Sequence, residues 1–110
     1  KADVQVIMSQ LALERYLDGL RPGGCLIFDS DMIVSKPKRK DIEVMEIPAT
    51  STATKMGKKI VANMVMLGAL VKKTEVVAEE NLRKTIKDLF PSFAEIDIKA
   101  AEEGRKLIEL

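Results

Sequence analysis

Residues Ile60 to Val71 read IVANMVMLGALV, and Asn63 is the only position in this run that is neither apolar nor glycine. The run is predicted to be a helix, and a helix without a polar face has to be surrounded by other apolar groups. A dozen residues are too few to cross a bilayer, which takes about 20 residues. The helix is therefore predicted to be buried, either in the core of its own domain or at a contact with another subunit.

Several side chains in this run suit close packing. Gly68 costs about 1 kcal/mol relative to Ala inside a helix, but it allows another backbone to approach closely. An unpaired buried amide at Asn63 would cost about 1 to 3 kcal/mol, so we expect a hydrogen-bonded core asparagine, with a contact across subunits as the alternative. The residues expected at a subunit contact are Asn63, Met64, Met66, Leu67 and Gly68.

The first 30 residues predict a strand, a helix and a second strand. Val4 to Met8 is short and β-branched, and Ser9 then offers a helix N-cap. The Pro-Gly-Gly sequence before Cys25 is expected to end the helix, and Cys25 to Asp29 to form a second buried strand. This order is typical of a right-handed parallel crossover. The helix is expected to bury Leu13, Tyr16, Leu17 and Leu20, which recur at helical spacing.

The remaining elements are mostly helical. A third strand is predicted at Ile42 to Ile47, followed by a short helix from Thr50 to Met56 that Gly57 closes. A later helix should bury Leu82, Ile86, Leu89 and Phe90, and a last one should run from about Ile98 to Glu109. The predicted fold class is α/β, a partial doubly wound, mainly parallel sheet with a helix-rich C-terminal part.

Length and composition indicate one domain covering residues 1–110. Three strands are few for so many helices, and the chain starts at Lys1 without an initiator Met. We therefore expect a fragment or a processed chain whose folding unit has further strands upstream. A single cysteine, Cys25, and the lack of a signal peptide or a long apolar run favour a cytoplasmic protein.

The residue types exclude several kinds of site. The chain has no histidine and one cysteine, which removes His-dependent nucleophilic catalysis and the usual zinc and iron–sulfur ligand sets. It contains neither of the glycine-rich phosphate-binding motifs. A net charge of +1 and 4% aromatic residues argue against a nucleic-acid partner. We predict no catalytic residue, no metal ligand and no cofactor bound by this chain.

Polar residues follow the first two predicted strands, where ligands of parallel sheets gather. The candidates for ligand binding are Ser9, Gln10, Ser30 and Asp31, although Ser9 as a helix cap and Asp29 or Asp31 as a turn-shaping residue are the favoured interpretations. The basic segment Lys36 to Lys40 is predicted to be a solvated loop, with docking of an acidic protein or a phosphate as the alternative.

Four stretches together resemble one family. They are Ala2-Asp3-Val4 with Met8-Ser9-Gln10, Arg21-Pro22-Gly23-Gly24 with Phe28-Asp29-Ser30-Asp31, Ile47-Pro48-Ala49-Thr50, and Val61 to Leu70. The chain resembles the C-terminal half of the gamma subunit of 2-oxoacid:ferredoxin oxidoreductases. It resembles the enzymes that act on 2-oxoglutarate more than those that act on pyruvate. It lacks the glycine-rich turn and the following loop of the family's first half, where direct ligand contacts are expected.

The resemblance implies a subunit that is not catalytic alone. The family's enzymes decarboxylate a 2-oxoacid on thiamine diphosphate, pass electrons through iron–sulfur clusters to ferredoxin, and join the acyl group to coenzyme A. Thiamine diphosphate and the clusters are expected in partner subunits, and coenzyme A as co-substrate. The alternative is a stand-alone domain that binds a small phosphorylated ligand, and a homodimer through the apolar helix is a third hypothesis.

Overall fold

The computed structural model describes the backbone of residues 1–109 and the side chains of residues 1–108. The chain divides into two compact units, Lys1–Pro48 and a second unit that begins at Ala49. That residues 1–110 form a single domain, the second half of a gamma domain, stays a prediction. Within the described residues, no helix combines the length and the apolar character that a membrane span requires.

The first unit is a parallel sheet with one crossover helix. Its strands are β1 (Ala2–Ile7), β2 (Leu20–Asp29) and β3 (Glu43–Ile47), in the order β1-β2-β3, and both pairs are parallel. Helix α1 (Gln10–Tyr16) and a 3₁₀ turn at Leu17–Gly19 join β1 to β2. The α/β class and the parallel sheet are confirmed. The core of this unit consists of Ile7, Leu13, Leu20, Leu26 and Phe28.

Strand β2 begins five residues earlier than predicted, because the Pro-Gly-Gly sequence lies inside the strand. Ala2 pairs with Leu20 and Val4 pairs with Cys25, so an irregularity in β2 lies opposite Asp3. Gly23 has φ +81°, which L side chains rarely adopt. A Cβ on Gly24 would lie 2.9 Å from the carbonyl oxygen of Asp3. The glycines therefore make a bulge and not a helix stop.

The predicted helical spacing of Leu13, Tyr16, Leu17 and Leu20 is wrong at two positions. Helix α1 ends at Tyr16, whose side chain is 55% exposed. Leu20 is fully buried, but it is the first residue of β2 and does not belong to the helix. The 3₁₀ turn between them changes the direction of the chain, so the period of 3.6 residues does not continue.

The second unit is helical, as the prediction of a helix-rich C-terminal part required. It contains α2 (Ala49–Lys55), a 3₁₀ turn (Lys59–Val61), α3 (Ala62–Thr74), α4 (Glu79–Leu89) and α5 (Ala94–Glu109). Gly57 follows α2 with φ +92°, which confirms the predicted stop. Helix α5 starts four residues before the predicted Ile98. Leu89 and Phe90 are exposed, so of the four predicted core positions of α4 only Ile86 is fully buried.

Helix α3 packs mainly on α5, and glycines control this contact. A Cβ on Gly68 would lie 1.9 Å from the carbonyl oxygen of Ala101, and one on Gly104 would lie 1.8 Å from that of Val65. Real Cβ atoms essentially never come this close to another atom. The two backbones therefore meet at a distance that only glycine permits, which confirms the close packing predicted for Gly68.

Two expectations for the apolar run are wrong. Ile60 lies in the 3₁₀ turn and is 83% exposed, because α3 itself begins at Ala62. Asn63 is exposed and is not a core asparagine, since it lies in the first turn of the helix. Its Oδ1 accepts a hydrogen bond of 2.9 Å from the backbone N–H of Met64. The amide therefore satisfies part of its hydrogen bonding locally, without a partner in the core.

Candidate functional site

The carboxyl ends of β1 and β2 bring the four strand-end candidates to one edge of the first unit. Ile7 pairs with Phe28 in parallel, so the residues that follow these two strands leave the sheet side by side. Ser9 and Gln10 follow β1, and Ser30 and Asp31 follow β2. This is the edge at which open parallel sheets bind ligands.

Ser9 and Gln10 both make hydrogen bonds that hold local structure. The hydroxyl of Ser9 accepts from the backbone N–H of Ala12 at 3.1 Å and caps α1, as predicted. The Oε1 of Gln10 accepts from the backbone N–H groups of Val34 at 2.8 Å and Ser35 at 2.9 Å. Its Nε2 donates to the carbonyl oxygen of Ser35 at 3.3 Å. Gln10 therefore fixes the segment that follows β2, a contact that the sequence did not indicate.

The residues after β2 form a tight turn around a buried carboxylate. Asp29, the last residue of β2, is fully buried, and its Oδ1 accepts from the backbone N–H of Asp31 at 3.1 Å. Its carbonyl oxygen accepts from the N–H of Met32, and the N–H of Ser30 donates to Ile47 at 2.9 Å. The turn-shaping role considered for Asp29 and Asp31 is confirmed. A ligand role for the four candidates stays a prediction.

The basic segment is only partly free to meet a partner. Arg39 forms two parallel hydrogen bonds with Asp41, at 2.9 and 2.8 Å, and donates to the carbonyl oxygens of Leu17 and Leu20. The hydrogen bond from Arg39 lowers the pKa of Asp41 below its ordinary value. Lys36 contacts Glu46 at 3.0 Å. Two cations of the segment thus bind carboxylates of their own unit, which counts against a phosphate site here.

The five predicted contact residues divide into two groups. Met66 and Gly68 are buried within the helical unit, where Gly68 lies against Ala101. Asn63 is exposed, and Met64 and Leu67 are half-buried. Residues three or four positions apart on a helix are neighbours, so these last three lie together along α3. They remain the candidates for contact with another subunit.

A cavity of about 430 Å³ lies among α3, α4 and α5, and the sequence analysis did not find it. Its apolar lining includes Val71, Ile86 and Ile98. Ion pairs cross its rim: Glu79 contacts Arg105 at 2.8 Å, and Arg83 contacts Glu102 at 2.5 Å. Glu79 also contacts Arg83 at 3.7 Å, and the spacing of four residues between them along α4 was the available sequence signal for this third pair.

The hydrogen bonds and contacts of the described candidate residues cap a helix, form a turn and pack the helical unit. No cluster of three or more carboxylate or thiol side chains that could hold a metal ion occurs among residues 1–108. Cys25, the one thiol, is buried in β2.

The sequence was compared with known families and proteins. Residues 1–107 match the family described as pyruvate ferredoxin/flavodoxin oxidoreductase. The chain belongs to this family. The chain is similar to 2-oxoglutarate synthase subunit KorC of Methanothermobacter marburgensis, which is 42% identical over 96% of this chain and 61% of that protein.

Two further proteins are similar to most of this chain. The pyruvate/ketoisovalerate oxidoreductases common subunit gamma of Thermococcus kodakarensis is 30% identical, over 93% of this chain and 59% of that protein. The crystal structure of a keto/oxoacid ferredoxin oxidoreductase gamma subunit from Geobacter sulfurreducens superposes with a TM-score of 0.91 at 30% identity. That superposition covers 98% of this chain and 64% of the other. The chain thus spans about three fifths of the length of these relatives.

Proposed function

We propose that this chain is part of the gamma subunit of a 2-oxoacid:ferredoxin oxidoreductase, with 2-oxoglutarate as the preferred 2-oxoacid. The observation that carries the substrate preference is the difference in identity to two kinds of relative. The sequence identity is 42% to a 2-oxoglutarate synthase subunit and 30% to a pyruvate/ketoisovalerate gamma subunit. The whole enzyme would oxidatively decarboxylate 2-oxoglutarate, pass the electrons to ferredoxin and transfer the acyl group to coenzyme A.

The proposed role of this chain is structural within that enzyme. An iron–sulfur cluster takes up to four thiolate ligands, and the chain has one cysteine, which is buried. The residues therefore do not fit such a cluster, and we assign the clusters and thiamine diphosphate to partner subunits. Coenzyme A is the proposed co-substrate of the assembly, and the proposed location is the cytoplasm.

Contact with another subunit is proposed for the exposed part of α3. Asn63 and the half-buried Met64 and Leu67 lie along one helix face, and methionine adapts its shape to a facing surface. The sheet edge at the carboxyl ends of β1 and β2 is proposed as the part of the chain nearest to bound ligand, because open parallel sheets bind ligands at this edge. The residues at this edge are Ser9, Gln10, Ser30 and Asp31. Both assignments rest on placement along the helix and at the strand ends.

The substrate assignment is tested on the assembled enzyme. The full-length gamma subunit that contains this sequence is combined with its partner subunits, and viologen reduction is followed with coenzyme A and one of three 2-oxoacids. We expect kcat/KM for 2-oxoglutarate to exceed those for pyruvate and 2-ketoisovalerate by at least about tenfold, about 1.4 kcal/mol of discrimination. A higher value for pyruvate would overturn the substrate assignment while leaving the subunit assignment standing.

A further inference from the structure

A concave surface of the helical unit carries aromatic and basic side chains together. It encloses about 460 Å³ and is separate from the cavity among α3, α4 and α5. We call it the Phe93 surface. Its lining residues are Met56, Lys58, Ser92, Phe93, Glu95, Ile96 and Lys99.

Within the described residues, the lysines that line the Phe93 surface, Lys58 and Lys99, form no ion pair with a carboxylate. The ammonium group of Lys58 lies 4.8 Å from the ring centre of Phe93, so an aromatic face is its neighbour. Glu95 is the one carboxylate among the described lining residues, and Lys55 and Lys59 add two positive charges next to lining residues in the sequence. By contrast, Arg83 and Arg105 each contact a glutamate on a helix.

Large apolar side chains are exposed in the Phe93 surface and close to it in the sequence. Phe93 is 56% exposed, and Ile60, two residues after Lys58, is 83% exposed. Met56 and Ile96 are half-buried and form the apolar part of the lining. Phenylalanine and methionine are enriched in protein interfaces, and exposed apolar side chains beside charges mark such sites. The surface thus combines apolar contact area with unbalanced positive charge.

We propose that the Phe93 surface binds an acidic segment of another protein, in which an apolar side chain is flanked by aspartate or glutamate. The apolar side chain would pack on Phe93 and Met56, and the carboxylates would pair with Lys58 and Lys99. A protein partner is favoured over a nucleotide because five of the seven lining residues are exposed. Small-molecule sites enclose most of their ligand, whereas most side chains of this lining are open to solvent.

The test uses a fluorescein-labelled peptide that contains phenylalanine between aspartate and glutamate residues, with fluorescence anisotropy of the native full-length polypeptide as the readout. We expect saturable binding that the double variant Lys58→Glu with Lys99→Glu weakens at least about tenfold. Phe93→Ala should weaken it without changing its salt dependence. Raising the salt concentration should weaken wild-type binding, because the lysines are at the surface.

The matched control is the double variant Lys84→Glu with Lys87→Glu, which makes the same charge change on exposed positions of α4. We expect it to bind the peptide within about twofold of wild type. Equal loss in both double variants, no peptide binding, or displacement of the peptide by ADP alone would each overturn the proposal. Thermal unfolding of each variant shows that the fold is retained. Peptide binding is measured independently of 2-oxoacid oxidation, so the result tests this proposal whether or not the proposed enzyme activity is found.

Discussion

Gly68 is the residue whose substitution tests the helix packing most sharply. In an exposed helix, Gly→Ala stabilises by about 1 kcal/mol, because alanine has the higher helix propensity. Here the added Cβ would lie 1.9 Å from the carbonyl oxygen of Ala101, a backbone atom that cannot rotate away. We expect Gly68→Ala to destabilise the protein by about 3 kcal/mol, the upper end of overpacking costs, measured as the free energy of unfolding in urea.

Gly57→Ala is the control for that substitution. Gly57 has φ +92°, but no atom lies within 4 Å of the position of an added Cβ. Its replacement should cost about 1 kcal/mol, from backbone strain alone. A Gly68→Ala variant that is as stable as wild type would show that α3 and α5 do not meet as closely as described.

Asp41 is the residue whose ionisation should affect stability. Its hydrogen bonds from Arg39 lower its pKa in the folded protein, so the carboxylate form stabilises the fold at neutral pH. This contribution is lost as the pH falls through the lowered pKa, below the value of about 3.9 of an unfolded aspartate. We expect Asp41→Asn to be less stable than wild type at pH 7, and the difference to shrink below about pH 4.

The free energy of unfolding in urea is compared for both proteins from about pH 2 to about pH 7, a range that includes the ordinary aspartate pKa of about 3.9. Arg39→Lys should reproduce most of the effect of Asp41→Asn, since lysine cannot form the two parallel hydrogen bonds. A stability difference that is the same at every pH would mean that the pair does not change the ionisation of Asp41.

At the scale of elements, Gln10 makes the segment after β2 an ordered part of the first unit. Its amide makes three hydrogen bonds with the backbone at Val34 and Ser35. We expect Gln10→Ala to speed amide hydrogen exchange at Val34 and Ser35 about fivefold, since a hydrogen bond contributes about 1 kcal/mol.

Gln10→Glu separates the hydrogen bonds that Gln10 accepts from the one that it donates, because glutamate keeps the acceptor oxygen and loses the N–H donor. The amides of Val34 and Ser35 should stay protected in this variant. The amide of Ser30, which donates to Ile47, should be unaffected by either change. Equal exchange at Val34 in Gln10→Ala and wild type would show that the segment is held by other contacts.

The sequence predicted the type and order of the elements, and it failed where three-dimensional contacts replace local periodicity. The helical spacing around Tyr16 continued into residues that fold as a 3₁₀ turn and a strand. The glycines before Cys25 were expected to end a helix, but they form a bulge in β2. Glu75 ends α3 in a left-handed conformation at φ 53°, which no residue preference indicates.

For the candidate site, the sequence located polar residues but not their partners. Ser9 was predicted correctly as a cap, because capping depends on residues three positions away. The bonds from Gln10 to Val34 and Ser35 join residues more than 20 positions apart, and no local pattern reports such contacts. The cavity among α3, α4 and α5 was missed for the same reason, since it depends on how three helices pack.

At the scale of the whole molecule, family membership is the observation on which the proposed subunit role rests. The match covers residues 1–107, while the chain spans 61% of the 2-oxoglutarate synthase subunit to which it is similar. The proposed function predicts that the full-length polypeptide works as part of a multisubunit enzyme and has no oxidoreductase activity alone.

Reconstitution is the most direct measurement of that claim. The remaining subunits are purified without the gamma subunit, and 2-oxoglutarate-dependent viologen reduction with coenzyme A is recorded before and after the native full-length polypeptide is added. The account predicts that the polypeptide co-elutes with the other subunits and that activity requires it. Full activity without the polypeptide, or no association under conditions where the other subunits assemble, would contradict it.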